Sequence, residues 1–356
     1  MGIFSGSTAA RALAYGYSNA RTKSMKTALL TGKDFDSLIA AHSVEEMAAF
    51  LEHTSFKEDL VAVALQQHAD AANLEAALSR NFSKAVEKLQ AFSPASALPV
   101  VQAGIKKYEI NNIKACLLGL HTGKQAEDIL PLVSRISLPA GFYARLYSQG
   151  AVEKAVQFLK GTEYFQPLAS ALPAYVSSKN LQPLLQALDF HFYASMEGIA
   201  KHAGRDERII AELLKAEIDV KNALMVLRLM EAQQPASSME HFLLSGGALS
   251  KEKLAALASS SSLEKAASFF GKHFAVDVQE ALARHEKTRT LIPLENTLQL
   301  ALVRKGISAL RRSTLSLGAL FGFLLLKENE LNSVRKIARA KEFHLSEALQ
   351  KELVVA

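Results

Sequence analysis

At roughly 150 residues per domain, a chain of 356 residues suggests about two domains or a set of repeats and excludes one small domain. Only 18 Gly and 9 Pro interrupt a sequence rich in Ala and Leu, with 49% hydrophobic and 21% charged residues, which favours helices over sheets and excludes global disorder. The formal charge is +6, and the lone Cys116 rules out an internal disulfide and any zinc site with two or more thiolates.

The first residues lack the continuous apolar run of a secretory signal, and Gly6 breaks the myristoylation pattern, so no targeting segment is expected. Residues 1–33 carry Arg11, Arg21, Lys23, Lys26 and Lys33 without an acid. Ser43, followed three residues on by Glu46, reads as a capping box opening a helix in which Met47, Phe50 and Leu51 share one face. Leu74, Leu78 and Phe82 form an i, i+4, i+8 apolar stripe on the next long helix. Loops are expected from Ser93 to Pro99, Pro131 to Gly141, Gln234 to Ser238, at Gly246-Gly247, and from Ser259 to Ser262. No stretch alternates like a strand, so the fold is expected to be all-α.

Sliding the chain against itself by about 110 residues reveals a repeat. The stripe recurs as Leu184, Leu188 and Phe192, and again as Leu294, Leu298 and Leu302. An asparagine three residues after an acid appears at Glu109/Asn112 and at Asp219/Asn222, with Glu330/Ser333 as a third version. A weaker copy at Asn19 has Gly16 in the acidic position. The capped segment returns as Val152 to Tyr164 and as Leu263 to Phe270. The order is therefore asparagine helix, capped helix, stripe helix, three times, followed by a fourth asparagine helix. The expected borders are 1–125, 126–236 and 237–356. The uncharged run from Ser313 to Leu326 falls short of the ~20 residues of a spanning helix and reads as a buried core helix.

Little in this pattern carries chemistry. Ca²⁺ takes about six to eight oxygens, and no acidic cluster near Asn112 or Asn222 supplies them, so these pairs read as a polar helix face or an interhelical hydrogen bond. The ten histidines form no ligand motif, and Cys116 reads as a buried structural thiol. There is no Walker loop, dinucleotide fingerprint or nucleophile elbow, so neither a cofactor nor catalysis is expected. Residues 301–356 are strongly basic, with clusters at Arg311-Arg312 and at Arg335, Lys336, Arg339 and Lys341 able to face phosphates. No recognition module accompanies them, and nucleic acid is not the expected partner. A basic surface attracts phosphate, anionic lipid or acidic protein, and the sequence does not separate these.

The stripe and asparagine helices, the opening Tyr17-Ser18-Asn19-Ala20-Arg21-Thr22-Lys23, and the closing Leu324-Leu325-Leu326-Lys327-Glu328-Asn329-Glu330 with Val334-Arg335-Lys336-Ile337 are shared with a known family. In their order and spacing the chain resembles the C subunits of archaeal and bacterial V/A-type ATPases, relatives of the eukaryotic V-ATPase d subunit. Leu118-Gly119 stands where that family has an Arg-Gly-like ending, and Ser333 replaces its asparagine. The resemblance implies three similar helical domains in a pseudo-threefold, funnel-shaped array. It also implies a non-catalytic rotor subunit, peripheral on the cytoplasmic face of the membrane, seated on the proteolipid ring and receiving central stalk subunits of the D and F types. The basic ends, Arg21, Lys23 and Lys26 with Arg335, Lys336 and Arg339, are then expected to lie close together and face an acidic partner or the headgroup layer. The alternative is a helical-repeat adaptor that binds nucleic acid or protein through basic faces.

Overall fold

The computed structural model describes residues 8–64, 71–139, 141–201, 205–235, 239–260 and 262–355. Every α or β element among them is helical, in keeping with the absence of alternating stretches. The chain gathers into two compact units, one of residues 48–199 and one that joins residues 1–47 to residues 200–356.

In chain order the helices are α1 (Thr8–Lys26), α2 (Gly32–Ala40), α3 (Val44–Leu51), α4 (Lys57–Ala64), α5 (Ala71–Phe92) and α6 (Leu98–Thr122). Then come α7 (Ala126–Ile129), α8 (Phe142–Tyr147), α9 (Val152–Phe158), α10 (Phe165–Ser178), α11 (Gln182–Lys201) and α12 (Arg205–Glu231). The last are α13 (Lys251–Ser260), α14 (Leu263–Phe274), α15 (Gln279–Thr288), α16 (Ile292–Arg312), α17 (Gly318–Glu342) and α18 (Glu347–Leu353). The asparagine helices are thus α1, α6, α12 and α17, the helices of the expected capped segment α3, α9 and α14, of which α9 starts at Ala151 without a side-chain cap, and the stripe helices α5, α11 and α16.

Local chemistry sets the helix starts. The Glu46 N–H donates to Ser43 Oγ at 3.3 Å, while the Glu46 carboxylate reaches one residue past the cap to accept from the His42 N–H at 2.7 Å. At α14 the Ser262 hydroxyl accepts from the Lys265 N–H at 3.3 Å. Three expected loops were drawn too long, that from Pro131 because Leu130–Leu132 form a 3₁₀ turn. Pro99 occupies the first turn of α6, where its missing N–H costs nothing, and Ser259 and Ser260 finish α13. Residues 236–238 of the Gln234 to Ser238 loop, with Ala140 and Ser261 of two others, lie outside the described residues.

The stripe residues point inward. Leu78, Leu184, Leu188, Leu294 and Leu298 are fully buried, Leu74, Phe82 and Phe192 nearly so, and Leu302 is half-buried. Each such side chain contributes about 1.5–3 kcal/mol of burial free energy. In the 48–199 unit α6 is central, with α5, α8 and α9 against it and the Phe82 ring edge-on to Tyr108 at 4.5 Å. In the other unit α16 and α17 form a hairpin on which α12 packs, while α1 and α2 lie against α17. An apolar cluster there joins α12, α13, α14, α15 and α16 around Leu227, Leu254, Phe270, Leu282 and Leu298.

No helix among the described residues is long and apolar enough to cross a membrane. Of the uncharged run, Ser313 to Leu317 connects the hairpin and Gly318 to Leu326 opens α17, largely buried.

Candidate functional site

The asparagine motif is a clamp on backbone. Asn112 is 5% exposed, and its Nδ2 donates to the Ser134 carbonyl at 2.6 Å while its Oδ1 accepts from the Ser134 N–H at 3.1 Å. Asn222, 1% exposed, makes the same pair with Leu244, at 2.9 and 2.8 Å. In both copies the held residue lies 22 positions beyond the asparagine, in an irregular segment whose own N–H and C=O have no ladder to join. A carboxamide is the one neutral side chain that offers a donor and an acceptor side by side, which explains the residue type.

One turn before each asparagine, the acid is buried and acts as an acceptor hub. Glu109 receives the Tyr164 hydroxyl at 2.5 Å and the Ser137 hydroxyl. Asp219 receives the N–H groups of Ala248 and Leu249 at 3.2 and 3.1 Å and lies 3.2 Å from His273 Nε2. Glu330 receives the Leu30 N–H at 2.7 Å and pairs with Lys327. In the first two hubs one acid gathers the loop after its helix and an aromatic side chain near the capped segment. These are tethers, with their oxygens already occupied by donors.

Burial pushes the Glu109 carboxyl above its ordinary value of 4.5, the Tyr164 hydrogen bond partly opposing it. Because the folded pKa is raised, the stabilisation is fully present below about 4.5 and is lost as pH rises through the folded value. Glu109→Gln cannot titrate. The variant is therefore expected to gain stability relative to the parent as pH rises from about 4 to about 8. Urea midpoints of both chains across that range test this, and a pH-independent difference would remove the buried-charge account.

At the chain ends the clamp changes hands. Asn19 is 3% exposed and neither atom of its amide has a hydrogen-bond partner among the described residues. Ala41, the residue 22 positions on, is held instead by Lys341, whose Nζ donates to the carbonyls of Ile39 (2.8 Å) and Ala41 and to Gln350 Oε1 (3.1 Å). Ser333, buried on α17, has Val355 at the same spacing, and there Asn329 Nδ2 donates to the Val355 carbonyl at 2.7 Å. Asn329 precedes Ser333 by four residues and so lies on the same helix face. The α1 and α17 helices pack together in one unit, so the first and fourth asparagine helices are neighbours.

The basic residues divide by direction. Lys336 is half-buried, with Nζ donating to Leu353 O at 2.9 Å and to Asn296 Oδ1 at 3.1 Å, and burial lowers its pKa. Lys341 is 8% exposed and likewise lowered by burial, so it supports the fold rather than facing phosphates as its place in a basic cluster suggested. Arg339 is exposed but paired with Glu342 at 2.8 Å. Arg335 is half-buried, Arg21 is exposed, and Lys23 and Lys26 are half-buried in the last turn of α1, where their charge complements the helix dipole. Cys116 is fully buried in α6 and its thiol is pushed up to about 12 by desolvation, leaving almost no thiolate. Gly119 sits against Ile129 and the Tyr147 hydroxyl, where an added Cβ would approach Ile129 Cγ1 to 2.6 Å, so the glycine of Leu118-Gly119 is required by packing.

Sequence reasoning found the asparagines and acids but missed Ser134, Ser137, Tyr164, Asn296 and Asn329. Only the constant 22-residue interval between clamp and clasped residue signals the first, and it becomes visible once one pair is known.

Residues 18–353 match the family described as ATP synthase (C/AC39) subunit. The C subunit of the A-type ATP synthase of Methanocaldococcus jannaschii is 28% identical over 330 residues, covering 92% of this chain and 82% of that protein. The C subunit of the A-type ATP synthase of Haloferax volcanii is 26% identical over 341 residues, 95% of this chain and 97% of its own length. With the match running from within α1 to the end of α18, the chain belongs to the ATP synthase (C/AC39) subunit family.

Proposed function

We propose that this chain is the C subunit of an A/V-type rotary ATPase, a non-catalytic part of the rotor and a socket that links the central stalk to the membrane proteolipid ring and passes torque between them. The observation that carries this is end-to-end similarity to the C subunits of A-type ATP synthases, with 92% of the chain aligned to one and 95% to another. In this reading the sequence repeats, bordered near residues 125 and 236, form three related helical domains in a funnel. Stalk subunits of the D and F types enter it, and the whole sits on the cytoplasmic face of the membrane through protein contacts.

The structure's chemistry supports the reading in one respect. A part that transmits torque must not shear internally, and close-packed helices with low compressibility serve that need. Here the irregular segments between helices are also tied down, at Ser134 by Asn112 and at Leu244 by Asn222. At Asn112 and Asn222 the donor and acceptor groups of the motif are used within the fold, which suits a mechanical part better than a catalytic one.

The test is affinity purification of the tagged chain from detergent-solubilised membranes of the host that encodes it. Recovery of proteolipid and stalk subunits, and loss of ATP-driven ion pumping from membranes lacking the chain while ATP hydrolysis persists, are the expected results. Recovery of no pump component defeats the proposal.

A further inference from the structure

Three arginines are gathered at one place on α16. Arg304, Arg311 and Arg312 line a groove of about 550 Å³ together with Ile307 and Ser308. All three are exposed, and none has an ion-pair or hydrogen-bond partner among the described residues. Elsewhere in the unit Arg228 pairs with Glu295 at 2.7 Å, Arg284 with Glu280 at 2.5 Å, and Arg339 with Glu342 at 2.8 Å, while Arg208 and Arg289 are exposed singly, away from the groove. Gly306 and Leu310 of the same helix turn face Gly322 of α17, and α16 also packs on α12, α14, α15 and α18.

We propose that the groove seats an acidic helical segment of a partner protein, with carboxylates about two turns apart engaging Arg304 at one end and Arg311 and Arg312 at the other. This rests on the reading of the chain as one part of a larger assembly and names the chemistry of one of its contacts. Seven residues separate Arg304 from Arg311, roughly 10 Å along the axis, which matches acids at i and i+7 on a facing helix. The planar guanidinium forks suit bidentate carboxylates, and Ser308 adds a hydroxyl between them. Ile307 gives the partner an apolar footing in the middle of the groove, the arrangement expected where a charged rim surrounds a packed centre.

Two other occupants fit less well. A bilayer surface does not fill a concave groove, and the large exposed apolar side chains that would insert into lipid, such as Leu13, Tyr17 and Phe343, do not line it. A single-stranded nucleic acid would call for aromatic side chains to stack its bases, and the groove's lining has none among the described residues.

The experiment places a crosslinker in the groove of the assembled complex. Ser308→Cys is labelled with benzophenone maleimide, the buried Cys116 staying unreacted, and the product is photolysed in native membranes. The expected adduct is a protein segment carrying several Asp or Glu within about three helical turns, and its yield falls about tenfold when Arg304→Gln, Arg311→Gln and Arg312→Gln are added, the loss expected for three weak ion pairs. Lys305→Gln, exposed on the same helix but outside the groove, leaves the yield unchanged. The triple variant changes only exposed side chains, and its melting temperature is measured to establish that it folds. An adduct to lipid, to nucleic acid or to a neutral or basic segment overturns the proposal, as does a yield indifferent to the three arginines. If the labelled chain co-purifies with stalk and ring subunits yet forms no adduct, the groove proposal falls alone. If it co-purifies with none of them, the proposed function falls first.

Discussion

Replacing Asn222 with alanine is expected to lower the unfolding free energy of its unit by about 3 kcal/mol, a large share of the stability of any domain. Two hydrogen bonds to Leu244 disappear, and both the N–H and C=O of that residue remain in a site where Leu244 is 7% and Asn222 1% exposed. A buried polar group left unsatisfied costs about 1–3 kcal/mol, so two together outweigh anything gained by removing a polar side chain from the interior. Asn222→Asp keeps the shape but loses the donor and puts a second carboxylate one turn from Asp219, so it is expected to be at least as damaging. Asn19→Ala is the internal comparison. Its amide has no partner among the described residues, so truncation there is expected to cost about 1 kcal/mol or less. Urea denaturation midpoints of the variants decide the matter, and equal losses at Asn19 and Asn222 would mean that the clamp does not hold the segment.

That comparison also marks how far the sequence could be read. Leucines at a fixed interval are legible because burial selects residue type, and Leu184, Leu188, Leu294 and Leu298 are all fully buried. The asparagines and the acids before them were legible by position for the same reason. What they hold was not, because the partner is backbone, and a backbone carbonyl leaves no letter in the sequence. Ser333 looked like a lost asparagine, yet the duty had moved four residues back to Asn329, a shift invisible until the helix face is known. Charge was misleading in a different way. A count of lysines gives sign without direction, and a long aliphatic stem lets the ammonium of Lys336 or Lys341 turn inward to carbonyl oxygens. The groove at Arg304, Arg311 and Arg312 was half visible, since the Arg311-Arg312 pair stood out while its companion a further two turns away did not.

The hairpin that carries that groove supplies the second large effect. Gly322→Ala is expected to destabilise the chain by about 2 kcal/mol, although alanine is the better helix former by about 0.5–1 kcal/mol. The sign is decided by what the new methyl would meet. A Cβ on Gly322 falls 2.5 Å from the Gly306 carbonyl oxygen and 3.1 Å from the Leu310 amide nitrogen, both backbone of α16, and neither can rotate aside as a side-chain tip would. Relief requires α16 and α17 to move apart, which loosens the contacts of Leu310 and Leu325 at the same crossing. Gly306→Ala meets its nearest atom, the Gly322 carbonyl, at 3.3 Å and is expected to cost less than Gly322→Ala. Gly16→Ala, in the middle of α1 with nothing within 4 Å of the added atom, is expected to stabilise by up to about 1 kcal/mol, so propensity alone is read there. If Gly322→Ala unfolds at the same urea concentration as the parent, the two helices separate without cost, and a joint that yields so easily would count against the proposed torque-bearing role.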